Sequence, residues 1–376
     1  MPAVNSVLVV GAGAAGCATA ILLAEAGVGV DLIEINPSVT ALGSGITVQG
    51  NALRVLRQLG VWPQVEAKGY AFNSLGLRAP DPQGSLIAEF PDVRSGGPEL
   101  PATVGMYRPD LARILTDRAL EAGVKIRYVT TLDGLTADDT GVDVRFADGS
   151  TGRYDLVVGA DGVRSRTRSL LGIQLETTPV GMGIWRAFTK RPASVTRTDL
   201  VYGGPSYIAG YCPTGEDSMY CYLVEAAQDR SGLTSAQQLA VMRELSQAYH
   251  GPWDDVREVL TDPERLNYRH FEHHVLPAPW NRGRVVLIGD AAHICPPTLA
   301  QGAAMALEDA AVLAELLVSR DAVDQQLWDD FMERRLARAG AVVAASMQLA
   351  QWLLDHERGD VPGLIGRTMG MLTEPA

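Results

Sequence analysis

The residues at the start of the chain restrict its fold more than any other stretch. Val4 to Val10 is an apolar, β-branched run of the kind that forms a buried parallel strand. A glycine-rich turn, Gly-Ala-Gly-Ala-Ala-Gly at 11–16, follows directly, and an Ala- and Leu-rich segment from Cys17 to Ala26 then predicts a helix. A second apolar run, Val28 to Ile33, ends in Glu34. This order of strand, glycine turn, helix and strand predicts a dinucleotide-binding βαβ unit.

Each residue of the glycine turn has a physical role in such a unit. Gly11 permits the tight turn, Gly13 lets a pyrophosphate approach the backbone, and Gly16 lets the helix pack closely on the strand. Ala15 lies in the same turn, where the helix N-terminus presents unpaired N–H groups to phosphates. Glu34 can accept hydrogen bonds from ribose hydroxyls and disfavours a 2′-phosphate, so FAD or NAD is expected. A turn that only packs a helix, with no ligand, is the alternative.

Composition excludes several classes of partner. The net charge of −12 argues against binding to nucleic acid or to an anionic membrane. The four cysteines have no CxxC spacing, so neither a disulfide framework nor a metal site is expected. No apolar stretch reaches membrane-spanning length, and the first apolar run breaks at glycines, unlike a signal peptide. We therefore expect a cytoplasmic protein.

The rest of the chain alternates between two patterns. Buried-strand patterns return at Leu156–Ala160 and Arg284–Ile288, whereas a tyrosine-rich, alternating pattern from about Pro179 to Leu266 predicts a separate sheet. We predict an α/β protein (α+β overall), in which a Rossmann-like domain is interrupted by a β-sheet substrate domain and ends in C-terminal helices. The predicted boundaries are 1–71, 102–178 and 267–376 for the discontinuous nucleotide-binding domain, and 72–101 and 179–266 for the substrate-binding domain.

Four further elements are predicted from local patterns. Leu42 to Val48 is a glycine-bearing loop that leads into a short strand, and Gly134 to Tyr154 reads as a hairpin with its turn at Asp148-Gly149. Periodic apolar residues predict helices over Met305–Val318 and Gln326–Leu354.

Two later segments each run from a buried strand into a turn that contains glycine and aspartate. The first holds Asp161-Gly162, with Ser165 and Arg168 close behind. The second holds Gly289-Asp290, and an Ala-rich helix begins near Gly302. A carboxylate at the end of a strand is well placed to hold a ribose or ribityl hydroxyl, and the N-terminus of the helix can face a group that becomes negative.

Together with the glycine turn, these segments resemble the single-component FAD-dependent aromatic hydroxylases, typified by para-hydroxybenzoate hydroxylase, salicylate hydroxylase and 6-hydroxynicotinate 3-monooxygenase. The order and spacing match over essentially the whole chain. The resemblance implies FAD as cofactor, transient docking of NADH or NADPH, and hydroxylation by O₂ through a flavin C4a-hydroperoxide. The implied substrate is a small aromatic of the phenol, hydroxybenzoate or hydroxypyridine type. The predicted cofactor-binding residues are Gly11, Gly13, Ala15, Gly16, Glu34, Gly45, Ile46, Arg108, Asp161, Gly289, Asp290, Gln301, Gly302 and Ala303.

The pocket residues are predicted from the resemblance and from strand periodicity. Tyr211 aligns with a pocket tyrosine of the hydroxynicotinate enzyme, and Tyr220 and Tyr222 share one face of the next strand. Packing within the sheet is the alternative for all three. Thr47 and Thr298 stand where that enzyme has histidines, so an identical substrate is not expected. The predicted catalytic residues are Tyr211, Thr47, Thr298 and Pro297, with Tyr220 and Tyr222 as substrate-binding residues. His293 is expected to make a structural hydrogen bond.

Other functions stay open at this point. A flavin reductase of the same fold would pass electrons without inserting oxygen, and a nicotinamide-dependent dehydrogenase would leave Asp161 and Asp290 without a role. A non-catalytic flavin-binding module would show no turnover. Among monooxygenases, a larger polycyclic substrate is the alternative, although the modest middle domain favours small rings. A monomer or homodimer is expected.

Overall fold

A mostly parallel sheet contains the predicted βαβ unit. The computed structural model describes residues 1–38 and 44–376, so Leu42 and Gly43 of the predicted loop lie outside the described residues. In spatial order the strands of this parallel sheet are β18 (Asn281–Arg282), β19 (Val285–Leu287), β12 (Leu156–Gly159), β1 (Ser6–Val10), β2 (Gly29–Ile33) and β8 (Lys125–Arg127). Neighbouring strands are parallel except for β18 and β19, and β1 lies between β12 and β2. The carboxyl ends of β1, β12 and β19 therefore open at one edge.

A second, large sheet lies beside it. Its strands, in spatial order, are β20 (His293–Ile294), β17 (Leu266–Val275), β13 (Thr178–Lys190), β16 (Ser218–Ala226), β15 (Ile208–Pro213), β14 (Thr198–Tyr202), β5 (Ser74–Arg78) and β6 (Leu86–Pro91). All its pairs are antiparallel except β14 with β5. Strand β20 follows the second glycine–aspartate segment directly, so the large sheet ends next to that segment.

Two small sheets complete the strands. One has the order β3 (Gly45–Gln49), β7 (Thr103–Tyr107) and β4 (Tyr70–Phe72), and the other has the order β11 (Thr151–Tyr154), β10 (Val142–Phe146) and β9 (Leu132–Ala137). The predicted hairpin is thus three strands, because β9 also pairs with β10. Its predicted turn is correct, with Gly149 at φ +85° between β10 and β11.

The described residues also form ten α-helices. They are α1 (Ala14–Glu25), α2 (Gly50–Gln58), α3 (Trp62–Lys68), α4 (Arg108–Glu121), α5 (Arg166–Leu170), α6 (Ser235–Ser246), α7 (Pro252–Val259), α8 (Gly302–Ser319), α9 (Gln325–Leu354) and α10 (Val361–Met371). The sequence prediction located α8 and α9 and missed α10. The mixed α/β fold class is confirmed, whereas the domain boundaries stay a prediction.

The two faces of the large sheet have different neighbours. Trp185 and Tyr211 point to one face, where they pack with Trp253 of α7 in an apolar core. Ile184 and Val224 point to the other face, whose apolar cluster includes Ala350 of α9. We call this second face the inner face, since it looks towards α9 and the small sheet of β3, β7 and β4.

A buried set of charged groups joins α8 and α9 to the Gly289–Ala291 turn, a single 3₁₀ turn that we call the glycine–aspartate turn. Asp309 on α8 accepts a hydrogen bond from the Gly289 N–H at 2.8 Å and lies 2.7 Å from His293 Nε2. Arg335 on α9 donates to the same carboxylate at 2.7 Å. Burial alone would raise the pKa of Asp309, but His293 and Arg335 outweigh it and lower the pKa to about 2. The turn is therefore anchored by a buried carboxylate.

Glu308 extends this set towards the start of α8. Arg335 and Arg338 both donate to Glu308, at 3.0 and 2.8 Å. Asn51 donates to Glu308 at 3.1 Å and to Gln301 at 3.0 Å. The residue before α8 is therefore bonded to the same buried groups as the glycine–aspartate turn.

Backbone carbonyls at the end of α10 and just beyond it accept further hydrogen bonds from arginines. Arg338 donates to the carbonyls of Met371 and Glu374, both at 2.9 Å. Arg54 of α2 donates to the carbonyl of Leu372 at 3.0 Å. Residues 371–374 thus provide acceptors that hold α2 and α9 together.

We predict that Asp309→Ala lowers the free energy of unfolding by about 3–5 kcal/mol, because buried Arg335 would lose one of its two carboxylate partners and the Gly289 N–H and His293 would lose theirs. The matched control is Glu315→Ala on the same helix, where the carboxylate pairs with Arg334 and is 59% exposed. That change is expected to cost below about 1 kcal/mol. Urea denaturation of the two apoproteins at pH 7 measures both values.

Equal losses in the two variants would contradict this assignment. Urea denaturation at a series of pH values adds a second check. Because the folded pKa of Asp309 is depressed, its stabilisation is complete above the ordinary value of 3.8 and is lost as the pH falls through about 2.

Candidate active site

The glycine turn after β1 and the glycine–aspartate turn lie side by side. Gly11 has φ +102°, and a Cβ on Gly16 would lie 1.9 Å from the Gly11 carbonyl oxygen, so both positions require glycine. A Cβ on Gly289 would come within 3.2 Å of the Ala15 Cβ. By contrast, a Cβ on Gly13 would meet no atom of the described residues within 4 Å. Open space therefore adjoins Gly13 at the start of α1, as a bound pyrophosphate requires.

Both helices that begin at this edge start without a side-chain cap. Gly13 precedes α1 and Gln301 precedes α8, and neither makes a capping side-chain hydrogen bond. The first turn of α8 contains no acidic residue. The N-termini of α1 and α8 therefore present N–H groups and positive partial charge to the space between them.

Asp290 supplies a carboxylate in the same region. Its side chain is accessible, yet the surrounding protein removes enough water to raise the pKa of the carboxyl, with partial compensation from His293 and Arg108. These two properties fit together if Asp290 lines a concave recess. Among the described residues it has no side-chain hydrogen-bond donor, so it is free to accept a ligand hydroxyl.

Glu34 and Asp161 are already bonded within the protein. Glu34 accepts the Ala12 N–H at 2.9 Å and two hydrogen bonds from Asn36. Asp161 accepts the Ser165 hydroxyl at 2.5 Å and the Thr167 N–H at 2.8 Å. Both carboxylates therefore shape the loops beside the recess, and lone pairs on Glu34 stay available to a ribose.

Arg168 connects the two aspartate segments. It is buried and donates to the carbonyl of Ala291 at 2.9 Å and to that of Val163 at 2.8 Å. The segment after β12 thereby positions the glycine–aspartate turn. The sequence prediction, which placed Asp161 on the cofactor, did not include this link.

The predicted loop residues border the recess. Gly45 and Ile46 begin β3, and the Arg108 backbone N–H donates to the Ser44 carbonyl at 3.1 Å, which holds the start of α4 against β3. Arg108 has an exposed side chain. Gly302 and Ala303 form the accessible first turn of α8, whereas the Gln301 side chain is fully buried against Asn51.

Thr47 and Tyr220 form a contact between β3 and the inner face of the large sheet. Their hydroxyls are 2.7 Å apart. The Tyr220 ring lies against Gly45, where a Cβ would be 2.0 Å from the ring, and stacks on Tyr222 with 5.5 Å between centroids. Burial raises the pKa of both tyrosines. The prediction that Tyr220 and Tyr222 share one face is correct.

Tyr211 lies on the opposite face, which corrects the prediction that grouped it with Thr47. The register pairs Tyr211 with Cys221, one residue from Tyr220, so its side chain points away from the inner face. Its hydroxyl donates to Asp199 at 2.8 Å, and its ring packs on Trp253. Tyr211 therefore packs in the apolar core that contains Trp185 and Trp253.

Thr298 and Pro297 lie in the short 3₁₀ turn before α8. The Thr298 hydroxyl donates to the Ser346 carbonyl on α9 at 2.9 Å, and Pro297 is exposed. They follow Cys295, whose thiol would lie 3.9 Å from a Cβ on Gly302. Burial raises the pKa of Cys295 to about 12, so this thiol is not ionised at neutral pH.

Two residues on the inner face were missed in the sequence. Arg186 is partly buried on β13 directly opposite Tyr222, and Tyr202 is 38% exposed on β14 while loss of water raises its pKa. A single arginine within the apolar run Gly183–Thr189 was the available signal for the first. The site therefore has a cofactor-facing side of helix N-termini and carboxylate, and an opposite side of tyrosines and arginine.

The segments that line this recess belong to a known protein family. A family model described as an FAD binding domain matches residues 5–346. This chain belongs to that FAD-binding family. The cofactor expected from the sequence is FAD, and family membership confirms it. The recess fits the group, since Gly13 leaves room for a pyrophosphate and Asp290 offers an unused acceptor.

Characterised relatives cover almost the whole chain. Aurachin C monooxygenase/isomerase of Stigmatella aurantiaca is 30% identical, over 92% of this chain and 90% of that protein. The 6-hydroxynicotinate 3-monooxygenase of Bordetella bronchiseptica is 30% identical, over 94% of this chain and 93% of that enzyme. The crystal structure of 2-methyl-3-hydroxypyridine-5-carboxylic acid oxygenase superposes with a TM-score of 0.81 at 25% identity, covering 97% of this chain and 96% of that one. The resemblance to flavin-dependent aromatic hydroxylases is thereby confirmed.

Two further observations concern the described residues only. They contain no group of three or more His, Cys, Asp or Glu side chains arranged to hold a metal ion. Within the same ranges, no helix combines the length and apolar character needed to cross a bilayer.

We predict that Asp290→Asn weakens FAD binding by about tenfold to a hundredfold while the apoprotein is at least as stable as the native one. A charge-assisted hydrogen bond to the ribityl chain would be weakened. The raised pKa means that the folded chain disfavours the ionised carboxylate at neutral pH, so its removal relieves a cost. Flavin fluorescence titration and thermal unfolding of the apoproteins measure the two effects.

Asp143→Asn is the control, because that carboxylate is exposed and pairs with Arg153 on the small sheet. Full FAD retention and turnover in Asp290→Asn would refute the role given to Asp290.

Proposed function

We propose that this protein is an FAD-dependent monooxygenase that hydroxylates a small aromatic substrate, with NADH or NADPH as electron donor and O₂ as oxygen source. The observation that carries the proposal is the Tyr220–Thr47 contact. It brings a tyrosine-lined sheet face against β3, at the edge of the recess that fits FAD. A cytoplasmic location and a monomeric or dimeric state belong to the same proposal.

The helix N-termini and Asp290 bind different parts of FAD in this proposal. The N-terminus of α1 with Gly11, Gly13 and Gly16 holds the pyrophosphate, and Asp290 holds the ribityl chain. The N-terminus of α8, at Gly302, faces the flavin ring and favours negative charge there. When bound, FAD supplies the redox chemistry that accepts electrons from NAD(P)H and activates O₂.

Tyr220 positions the substrate by hydrogen bonding. Because burial raises its pKa from an ordinary value of 10.0, the hydroxyl stays protonated at neutral pH. It can donate its proton to a ring oxygen while it accepts from the Thr47 hydroxyl, so the tyrosine orients the ring instead of removing a proton from it. The Tyr222 ring beside it supplies an apolar stacking surface that keeps water away.

A small aromatic is supported by the named relatives. One acts on 6-hydroxynicotinate by name, and the structural neighbour acts on a hydroxypyridine carboxylic acid. A larger substrate, as for the aurachin relative, is the second candidate. One observation favours this candidate: accessible Tyr202 extends the inner face beyond Tyr222.

The proposal is tested by NAD(P)H oxidation with a panel of phenols, hydroxybenzoates, hydroxypyridines and bulkier quinolones, under ¹⁸O₂. The expected result is that one ring stimulates oxidation and gains one ¹⁸O atom, with product equal to the nicotinamide consumed. Stimulated oxidation without ¹⁸O in any product would mean a flavin reductase, and a yellow protein that no ring stimulates would reject the hydroxylase proposal for this panel.

We predict that Tyr220→Phe lowers kcat/KM by about tenfold with FAD retained, because one hydrogen bond to the ring oxygen is lost. Tyr211→Phe, on the opposite face, should keep kcat/KM within about twofold and lose about 1 kcal/mol of stability with its bond to Asp199. Steady-state kinetics and urea denaturation separate these effects. Reversed outcomes for the two tyrosines would mean that the substrate lies on the other face.

A further inference from the structure

Two histidines are buried in the described part of the chain, His274 on β17 and His293 on β20. His293 Nε2 lies 2.7 Å from Asp309, whereas neither ring nitrogen of His274 has a hydrogen-bond partner among the described residues. The His274 side chain belongs to a residue that is only 4% exposed, so bulk water does not replace the missing partner. A neutral imidazole has one N–H and one bare nitrogen, and leaving both unpaired costs free energy.

The end of β17 places His274 beside the glycine–aspartate turn. His274 is opposite Ile294 in the β17–β20 pair. Two residues further along β17, the Leu276 N–H donates to the Ala292 carbonyl at 2.8 Å. The strand that contains His274 is therefore bonded to the segment that leaves the turn.

The turn has one carbonyl that no donor contacts. The Ala292 N–H donates to the Gly289 carbonyl at 2.8 Å, and Arg168 donates to the Ala291 carbonyl at 2.9 Å. The Ala292 carbonyl is bonded to β17. Among the described residues, no hydrogen bond reaches the carbonyl of Asp290. An unpaired acceptor and an unpaired imidazole thus lie on the same side of the molecule, next to the residue whose carboxylate faces the recess.

The charges around His274 indicate which group it can meet. Burial is the largest cause that lowers the pKa of His274 to about 4, and repulsion from Arg168 and His293 comes next. Repulsion from His273, on the same strand, adds to this effect. The ring is therefore neutral at pH 7 and has a single N–H. The Asp290 backbone opposes the shift, as a nearby acceptor does, so its carbonyl is the group in position to pair with the ring.

We infer that His274 is a positioning residue for FAD: its ring N–H donates to the Asp290 carbonyl when the Asp290 carboxylate holds the ribityl chain. The carboxylate and the carbonyl belong to one residue, so a ligand that fixes the first restricts the second, and the hydrogen bond forms at a smaller entropic cost. Because such coupling is reciprocal, the His274 bond raises the affinity for FAD. The inference rests on the role proposed for Asp290 and does not depend on the reaction.

The first experiment compares FAD affinity with stability in His274→Phe. This change keeps a planar ring and removes both nitrogens, so FAD is expected to bind about tenfold more weakly, as the loss of one hydrogen bond predicts. Since both nitrogens are unpaired without FAD, the apoprotein is expected to unfold at the same temperature or a higher one. A structural role alone predicts lower stability with unchanged FAD affinity. Flavin fluorescence titration at pH 7.5 and thermal unfolding of the apoprotein measure the two quantities.

Two further variants test the donor and the position. His274→Gln keeps an N–H donor, so its FAD affinity is expected to stay within about threefold of the native value. His270→Phe is the matched control, because His270 is an exposed histidine of the same strand whose Nε2 lies 2.9 Å from the Gln228 carbonyl. Its FAD affinity is expected to stay within about twofold. Native FAD affinity in His274→Phe, or an equal loss in His270→Phe, would overturn the inference.

A spectroscopic measurement observes the proposed bond in the native chain. The protein has six histidines, and ¹⁵N labelling of their rings reports each ring N–H by NMR. The His274 signal is identified by its absence from His274→Phe. On addition of FAD this N–H signal is expected to move to higher frequency and to exchange more slowly with water. A His274 signal that FAD leaves unchanged would overturn the inference.

The outcomes are independent of those that test the proposed reaction. A protein that loses FAD affinity in His274→Phe but oxidises no ring of the panel would keep this inference and reject the hydroxylase proposal. A protein that inserts ¹⁸O into a ring, and whose His274→Phe variant binds FAD as the native chain does, would do the reverse.

Discussion

The buried carboxylate of Asp309 is the contact on which the rest of this site depends. It holds the backbone of the glycine–aspartate turn through Gly289, it contacts His293, and it neutralises Arg335 in a fully buried position. Since a buried charge is tolerated only with such partners, the turn, α8 and α9 must be assembled together or not at all. The accessible Asp290 is the next residue along from Gly289, so the buried Asp309 carboxylate sets the position of the carboxylate that is proposed to hold a ligand.

The opposite wall of the recess is made by a sheet whose side chains are sorted by register. Tyr220 and Tyr222 reach the inner face because glycines at 45 and 210 leave space for their rings. A larger residue at Gly45 would displace the Tyr220 ring, and one at Gly210 would displace the Tyr222 ring. Two glycines that take no part in the reaction therefore set where the tyrosine rings lie relative to the helix N-termini. The distance between the rings and these N-termini limits which substrates can enter.

Local and long-range features differ in how well the sequence predicted them. The βαβ unit, the turn at Gly289-Asp290 and the helix from Gly302 depend on residues a few positions apart, and their glycines and apolar runs were sufficient. Tyr211 was misplaced because a one-residue difference in strand register reverses the face, and periodicity alone does not say which face another element covers. Asp161 was assigned to the cofactor from the resemblance of its motif, and that assignment stays a prediction; its hydrogen bonds with Ser165 and Thr167 become visible only once α5 is formed. The position of Arg186 on the inner face likewise needed the structure, because it depends on the pairing of Arg186 with Tyr222 across two strands.

The carbonyls of residues 371–374 have a consequence for how the protein is made. They complete the hydrogen bonding of Arg54 and Arg338, although Arg54 lies more than three hundred residues earlier in the chain. During synthesis the βαβ unit can form while most of the chain is still to be translated, but the contacts that hold α2 and α9 together wait for these residues. A ribosome-bound chain that stops before position 371 would therefore expose two arginines and an unfinished recess, a state that chaperones and proteases can distinguish from the finished protein.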